Sequence, residues 1–274
     1  GGGRAGGHGS AGGGDGWGSE QLPGGVKGQV YIEELQWCMD DKQCLKYIEG
    51  IEGSAKPLLN LERKLVEFSR TYMFALNYER ETAEKLKNFA THFAQETKAG
   101  YSDSAYKAAL CHTLNILESK VWASLKDVYA TEDMRAKAKM ESMTQANCSG
   151  LGIPKDFLDI DFGEAVDKFK TLDQVKSPVL KLFRLQDIQE KTLDAIRKGR
   201  KQASMTVFGS ITTDAGPVGM DELLPIFLMI ICKAGVADLV TSFKFVKYFS
   251  YDIGSSQFGD FLISLCESCV KYLT

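Results

Sequence analysis

Asp221-Glu222-Leu223-Leu224-Pro225-Ile226-Phe227-Leu228-Met229-Ile230-Ile231-Cys232 is the stretch on which the fold turns. Two acids are followed by ten uncharged apolar residues, Leu223–Cys232, with one proline among them. A membrane span needs about 20 such residues, so this run is too short to be one. A surface helix keeps a polar face, and this run has none, so it reads as a central helix covered all round by other elements. A short turn over Gly235–Asp238 follows. A second apolar helix is expected over about Leu239–Phe249, and a last one from about Gln257 to Leu273.

Upstream, the pattern stays helical. Tyr31, Leu35 and Cys38, then Leu45 and Ile48, have helical spacing from about Val30, with a break near Asp40–Lys42 and an end at Gly50 and Gly53. Ser54 is a candidate cap, and Pro57 fits a first helical turn. Leu58–Ala99 contains neither Gly nor Pro. Leu58, Leu61, Leu65, Phe68 and Tyr72 step by three and four, a heptad-like stripe. It weakens over Asn77–Thr82 and resumes at Ala83, Leu86, Ala90 and Phe93, so one long helix and two packed helices are both allowed. A helix is expected over about Asp103–Tyr129, capped by Ser102 or Asp103, with Leu110, Leu114, Leu117, Val121, Leu125 and Val128 as its stripe. Further helices are expected over Asp133–Ala146, Asp159–Leu172 and from Ser177-Pro178 to about Ile196. Arg197–Lys201 is basic, and Ala203–Gly219 reads as a surface loop. Met205–Ile211 is the one strand candidate. No internal repeat is present.

The chain has 274 residues, 44% apolar and 25% charged, with a formal net charge of -3. That size supports one or two domains with a substantial core. The charge argues against a nucleic-acid binder working through bulk positive potential. Of 27 glycines, 14 fall in Gly1–Gly28, which lacks the apolar residues to offset its ordering entropy and reads as a disordered tail. That tail has no apolar central block and so does not resemble a signal peptide. The first residue is not Met, so the chain reads as a fragment or processed form. Seven cysteines at irregular spacing inside helical segments read as reduced, buried, cytosolic thiols.

Bond-making chemistry finds no home in this sequence. His8, His92 and His112 are scattered, and no second ligand set accompanies His112 and Cys111. Cys266 and Cys269 form a lone CxxC on a terminal helix, which reads as two residues of a buried face. There is no phosphate-binding glycine loop, no GxGxxG after a strand and no GxSxG elbow. No metal and no cofactor is expected, and the chain does not read as an enzyme of covalent chemistry.

The acids at the head of the central run remain. Asp221 near a helix start can satisfy orphan N–H groups and the helix dipole, and on residue chemistry alone capping or solvation is the favoured reading. Pro225 weakens it. With Asp221 as the cap, Pro225 would stand where the first ladder N–H is needed.

Here the residues resemble a family. Asp221-Glu222-Leu223-Leu224-Pro225-Ile226-Phe227-Leu228, then Lys233-Ala234 and Leu239…Phe245-Val246…Phe249, resemble the core of the Vps-nine domain. Leu117-Glu118-Ser119-Lys120-Val121-Trp122 with Leu125 is similar to its first helix. Phe157-Leu158-Asp159-Ile160 is similar to its Leu-Asp-Ile element, and Ser177-Pro178 with Leu180 and Leu182 to its Pro-containing helix start. The resemblance covers roughly 101–274. It implies an all-α, layered helical Vps-nine-like exchange domain over 101–274, preceded by a helical bundle or coiled-coil segment over 29–100 and the tail over 1–28. The implied function is guanine-nucleotide exchange on endosomal Rab GTPases of the Rab-five group. The implied setting is cytoplasmic, peripheral to early endosomes.

Carried over residue by residue, Asp221 falls on the family's acidic finger, and Pro225 on a proline at the GTPase contact, with Leu224 beside it. Near the C-terminus the family carries a Tyr and, three residues on, a Thr at the GTPase surface. Asp260 and Ile263 stand there instead, and a shift of a few residues would put Phe258 or Phe261 in the aromatic role. The Asn after Lys-Ala becomes Gly235, and two prolines become Val236-Ala237. Two other readings stay open. One is a BAR-like or coiled-coil membrane scaffold built on Glu49–Phe93, which lacks the basic face such a surface wants; a weak homodimer belongs with it. The other is a Rab-binding module with little exchange activity.

Overall fold

A computed structural model describes residues 41–98, 100–208, 218–250 and 257–274. The tail over 1–28 and the onset of structure near Val30 lie outside these residues. The elements, in chain order, are α1 (Asp41–Glu49), α2 (Ala55–Thr71), α3 (Glu79–Glu96), α4 (Asp103–Gln145), α5 (Gly163–Lys170), α6 (Pro178–Phe208), α7 (Met220–Ala234), α8 (Leu239–Phe249) and α9 (Gln257–Leu273), with short 3-10 turns between α4 and α6. No strand occurs among the described residues.

The apolar run becomes α7. Leu223 and every residue from Ile226 to Cys232 are buried, covered by α4, α5 and α9. The longest helix is α4, at 43 residues. The two helices expected over 103–129 and 133–146 join into this one because no Gly or Pro interrupts the segment. Ser102 Oγ accepts the Ala105 N–H at 3.1 Å and caps it. α4 packs against α1, α2 and α3 and also against α7, α8 and α9, so it belongs to both layers.

Of the two arrangements allowed for Leu58–Ala99, the hairpin of α2 and α3 is formed. The chain breaks after Tyr72, whose ring stacks on Phe68 with centroids 4.4 Å apart, and turns through Asn77 at φ 70°. Leu61, Leu65 and Phe68 of α2 and Leu86, Ala90 and Phe93 of α3 are buried within the one chain. The stripe that suggested a dimer seam is thus already covered. Ser54 stands at the start of α2 but caps through its backbone: its carbonyl accepts the Leu58 N–H at 2.8 Å, and its side chain makes no cap bond. The division expected at 100/101 falls between α3 and α4, both inside the compact unit Trp37–Thr274.

The downstream half is joined to α4 along one face. Trp122, Lys126, Tyr129 and Asp133 step by four, three and four. Trp122 packs on Phe245 at 5.4 Å, Lys126 pairs with Asp238 at 2.8 Å, and the Lys244 ammonium lies 5.7 Å from the Tyr129 ring centre. Buried Asp133 accepts from the N–H groups of Val240 (2.7 Å) and Thr241 (3.4 Å) and from the Thr241 hydroxyl (2.5 Å). It supplies from another helix the cap that α8 lacks, since Asp238 at its start makes no side-chain cap bond. Burial raises the Asp133 pKa, against these three hydrogen bonds. Beside it, Lys181 is 1% exposed. Its ammonium donates to the Leu172 carbonyl (2.7 Å) and Ser242 Oγ (3.3 Å), and lies 4.5 Å from the Trp122 ring centre. Burial pushes its pKa down to about 8.

α6 corrects the loop expectation. It continues past Ile196 through Arg197–Lys201 to Phe208, so residues 203–208 are helical and the strand candidate fails over 205–208. Residues 209–217, which complete both expectations, lie outside the described residues. Lys, Arg, Gln and Ala are good helix formers, and the one weak residue, Gly199, is used for close packing. A Cβ there would meet the Ile160 side chain at 2.5 Å.

Candidate functional site

The start of α7 is assembled from three pieces of chain. Gly219, in extended conformation, precedes the helix, and its carbonyl accepts the Leu223 N–H at 3.0 Å. Gly219 has no side chain to cap with. Glu222 reaches back instead, and its Oε2 accepts the Gly219 N–H at 3.3 Å, half of a capping box. Its other oxygen, Oε1, accepts from Arg200 Nη2 at 2.9 Å. The Arg200 guanidinium in turn lies over the Phe157 ring, 5.2 Å from its centre.

Of the two readings of Asp221, capping or solvation, this arrangement overturns capping and leaves solvation. The acid that closes the helix start is Glu222. Asp221 is the second helical residue, is exposed, and makes no hydrogen bond or ion pair among the described residues. Pro225 lies inside the helix and lacks the N–H that the Asp221 carbonyl would otherwise accept. Asp221, Leu224 and Pro225 are spaced i, i+3, i+4, so they share a face. Leu224 and Pro225 are half-buried. The result is an apolar ledge with one carboxylate at its edge that no described residue neutralises.

The other two expected contacts lie on α9, which packs against α7. Asp260 is exposed in its first turn and Ile263 half-buried one turn on. The Asp260 carbonyl accepts from Ser264 Oγ at 2.9 Å. Phe261 is half-buried, and the Phe258 side chain lies outside the described residues. Gly235 ends α7 in the left-handed region at φ 65°. That conformation suits Gly and Asn above other residues, so the exchange of Asn for Gly preserves a turn. The residue that sequence reasoning left out of the site is Leu158. It is 63% exposed and directly follows Phe157, the platform for Arg200. A bulky apolar residue left in solvent beside the start of α7 is a contact candidate. In the sequence it was one letter of the Leu-Asp-Ile element.

Other chemistry is not gathered here. Cys266 and Cys269 are buried and free. Burial raises the pKa of both and pushes that of Cys232 up to about 12, the reverse of a reactive thiol. Among the described residues no group of three or more His, Cys, Asp or Glu is placed to hold a metal ion. A cleft of about 590 Å³, lined by Leu76, Tyr129, Lys244 and Tyr248 among others, contains none of the expected site residues.

Residues 162–274, from just before α5 to the end of α9, match the family model of the Vacuolar sorting protein 9 (VPS9) domain, and this part of the chain is a VPS9 domain of the Rab guanine-nucleotide exchange factors. No curated protein matches the chain. The match begins downstream of 101, so α1–α4 lie before it in the chain. The all-helical fold agrees with the family. The domain indicates exchange activity on Rab GTPases, a regulatory function in which the protein makes no covalent bond.

Proposed function

We propose that this chain promotes nucleotide release from Rab GTPases of the Rab-five group, with Asp221 as the acidic finger. The observation that carries the reading is the state of Asp221: exposed, without a hydrogen bond or ion pair among the described residues, and at the start of a helix that is buried from Ile226 to Cys232. A GTPase holds its nucleotide through Mg²⁺ and a phosphate-loop lysine. A carboxylate entering that site competes with the phosphate for the lysine and repels the phosphate where the dielectric is low. Magnesium coordination fails and the nucleotide leaves. Leu224 and Pro225, with Ile263 on α9, form the apolar grip on the GTPase switch regions, as anchors in an interface do. Work on Rab-five-type GTPases implies a cytoplasmic protein peripheral to early endosomes, with α1–α3 as its support.

A second reading, Rab binding with little exchange, draws on Asp260 and Ile263, which stand where the family has Tyr and Thr. One experiment decides. Purified Rabs loaded with a fluorescent GDP are mixed with the wild-type chain and with Asp221→Asn. The exchange reading requires accelerated release from a Rab-five-group member by the wild type and almost none by the variant. Binding to the nucleotide-free Rab without acceleration selects the second reading.

A further inference from the structure

We infer that Arg200 is the positioning residue of this site, a clamp that holds the first turn of α7 and so aims Asp221; the inference rests on the exchange reading above. Three observations lead to it. First, the helix start is weak by itself. Gly219 offers no side chain to the orphan N–H groups, and Pro225 removes the ladder bond to the Asp221 carbonyl. Second, the missing support comes from outside the helix. Arg200 binds Glu222 Oε1 at 2.9 Å while Glu222 Oε2 holds the Gly219 N–H at 3.3 Å, so one carboxylate bridges α6 to the residue that opens α7. Third, Arg200 is itself held. Its guanidinium covers the Phe157 ring, and the neighbouring Gly199 lets α6 approach Ile160 more closely than any other residue would permit. Phe157 and Ile160 thus serve as the seat of the clamp.

The charge arithmetic adds a second consequence. Asp221 and Glu222 are adjacent acids, and of the two it is Glu222 that pairs with Arg200. Among the described residues no cation pairs with Asp221, so its carboxylate has none of them to leave before it can act. An exposed ion pair alone contributes little. Here the Arg200 and Glu222 side chains are only 22% and 37% exposed, and stacking on the ring fixes the guanidinium plane. Small displacements of a group that must meet a phosphate site cost much more in rate than in stability.

The test pairs amide hydrogen exchange with nucleotide release on the whole chain. Arg200→Ala should speed amide exchange at Gly219–Leu224 while leaving α8 protected. It should also lower the maximal stimulated release rate by about tenfold or more, with little change in the half-saturating concentration, since the apolar grip is untouched. Arg200→Lys keeps the charge without the planar fork and should fall between. Lys198→Ala, which removes an adjacent exposed charge, should match wild type. If Arg200→Ala does not fold, Glu222→Gln carries the same two readouts with the side-chain shape kept. Unchanged amide protection overturns the clamp. Loosened amides with a wild-type maximal rate overturn the positioning role and leave Asp221 as the finger. A wild-type chain that releases nucleotide from no Rab overturns the exchange reading, and the positioning role with it, before any variant is measured.

Discussion

Asp221 and Asp133 each stand at the start of an apolar helix, and their surroundings are opposite. Asp133 reaches α8 from α4, is buried, and accepts three hydrogen bonds. Asp221 belongs to α7 itself, is exposed, and accepts none among the described residues. The first position is complete without a partner; removing the acid strands buried donors. The second is left incomplete by the fold, with the capping work transferred to Glu222 and Arg200. The same residue type therefore has a structural role along the α4–α8 seam and, in the function we propose, a partner-facing one at the start of α7. Stability and exchange should respond to the two aspartates independently.

The harshest way to break this contrast is to delete the seam. The segment 162–274, which the VPS9 match covers, lacks α4. Without it, the N–H groups of Val240 and Thr241 lose Asp133, and Phe245 loses Trp122. This fragment should show no cooperative thermal transition by circular dichroism, whereas the chain from residue 37 should show one. A fragment that melts cooperatively would make α4 a support of the domain and not part of its fold.

Asp221→Asn sharpens the contrast from the functional side. Stimulated release should fall by orders of magnitude, about the loss seen when one charge-stabilising group is removed from a site. The melting temperature should stay within about 1 °C, because no buried group changes partners. A shifted melting temperature with unchanged release would return Asp221 to a purely structural role.

Asp133→Ala should do the reverse. Three buried donors lose their acceptor, at a cost of about 3 kcal/mol in urea unfolding. Release per folded molecule should remain at the wild-type rate. A variant as stable as wild type would mean that the seam is held by Trp122 and Phe245 packing alone.

The smallest expected effect concerns Lys181, which borders the seam. Its folded pKa, about 8, lies below the usual 10.5. Between these values the unfolded chain binds the extra proton, so this group makes stability rise with pH. Below about 8 both states are protonated and its contribution is flat. Cys148, Cys232, Cys266 and Cys269, all raised by burial, act in the opposite sense above 9. The readout is therefore the difference between wild type and Lys181→Met. From pH 7 to pH 9 wild type should gain about 1 kcal/mol relative to the variant. A difference that does not change with pH would mean that water reaches the ammonium.

Much of the helical layout was legible because helix periodicity, Gly and Pro are local signals. The bounds of α8 and α9 and the start of α6 at Pro178 follow from them directly, as does the burial of Leu223 and of Ile226–Cys232. The resemblance to the Vps-nine domain, and the choice of Asp221 and Pro225, likewise rested on a contiguous run of residues. The length of α6 is less legible, because its continuity depends on a neighbour. α6 passes through Gly199 because Ile160 packs there, and nothing in Arg197–Lys201 announces Ile160.

The sequence by itself determined that the chain is helical, that Leu223–Cys232 lies at the centre and that two acids precede it, because these depend on residue order within one helix. Tertiary structure alone decided which acid is free. Arg200 lies far from Glu222 in the sequence, yet the pair forms at 2.9 Å, and Asp133 finds α8 from another layer at 2.7 Å. A carboxylate's role is set by the donors within hydrogen-bond reach, and folding brings those donors from distant parts of the chain.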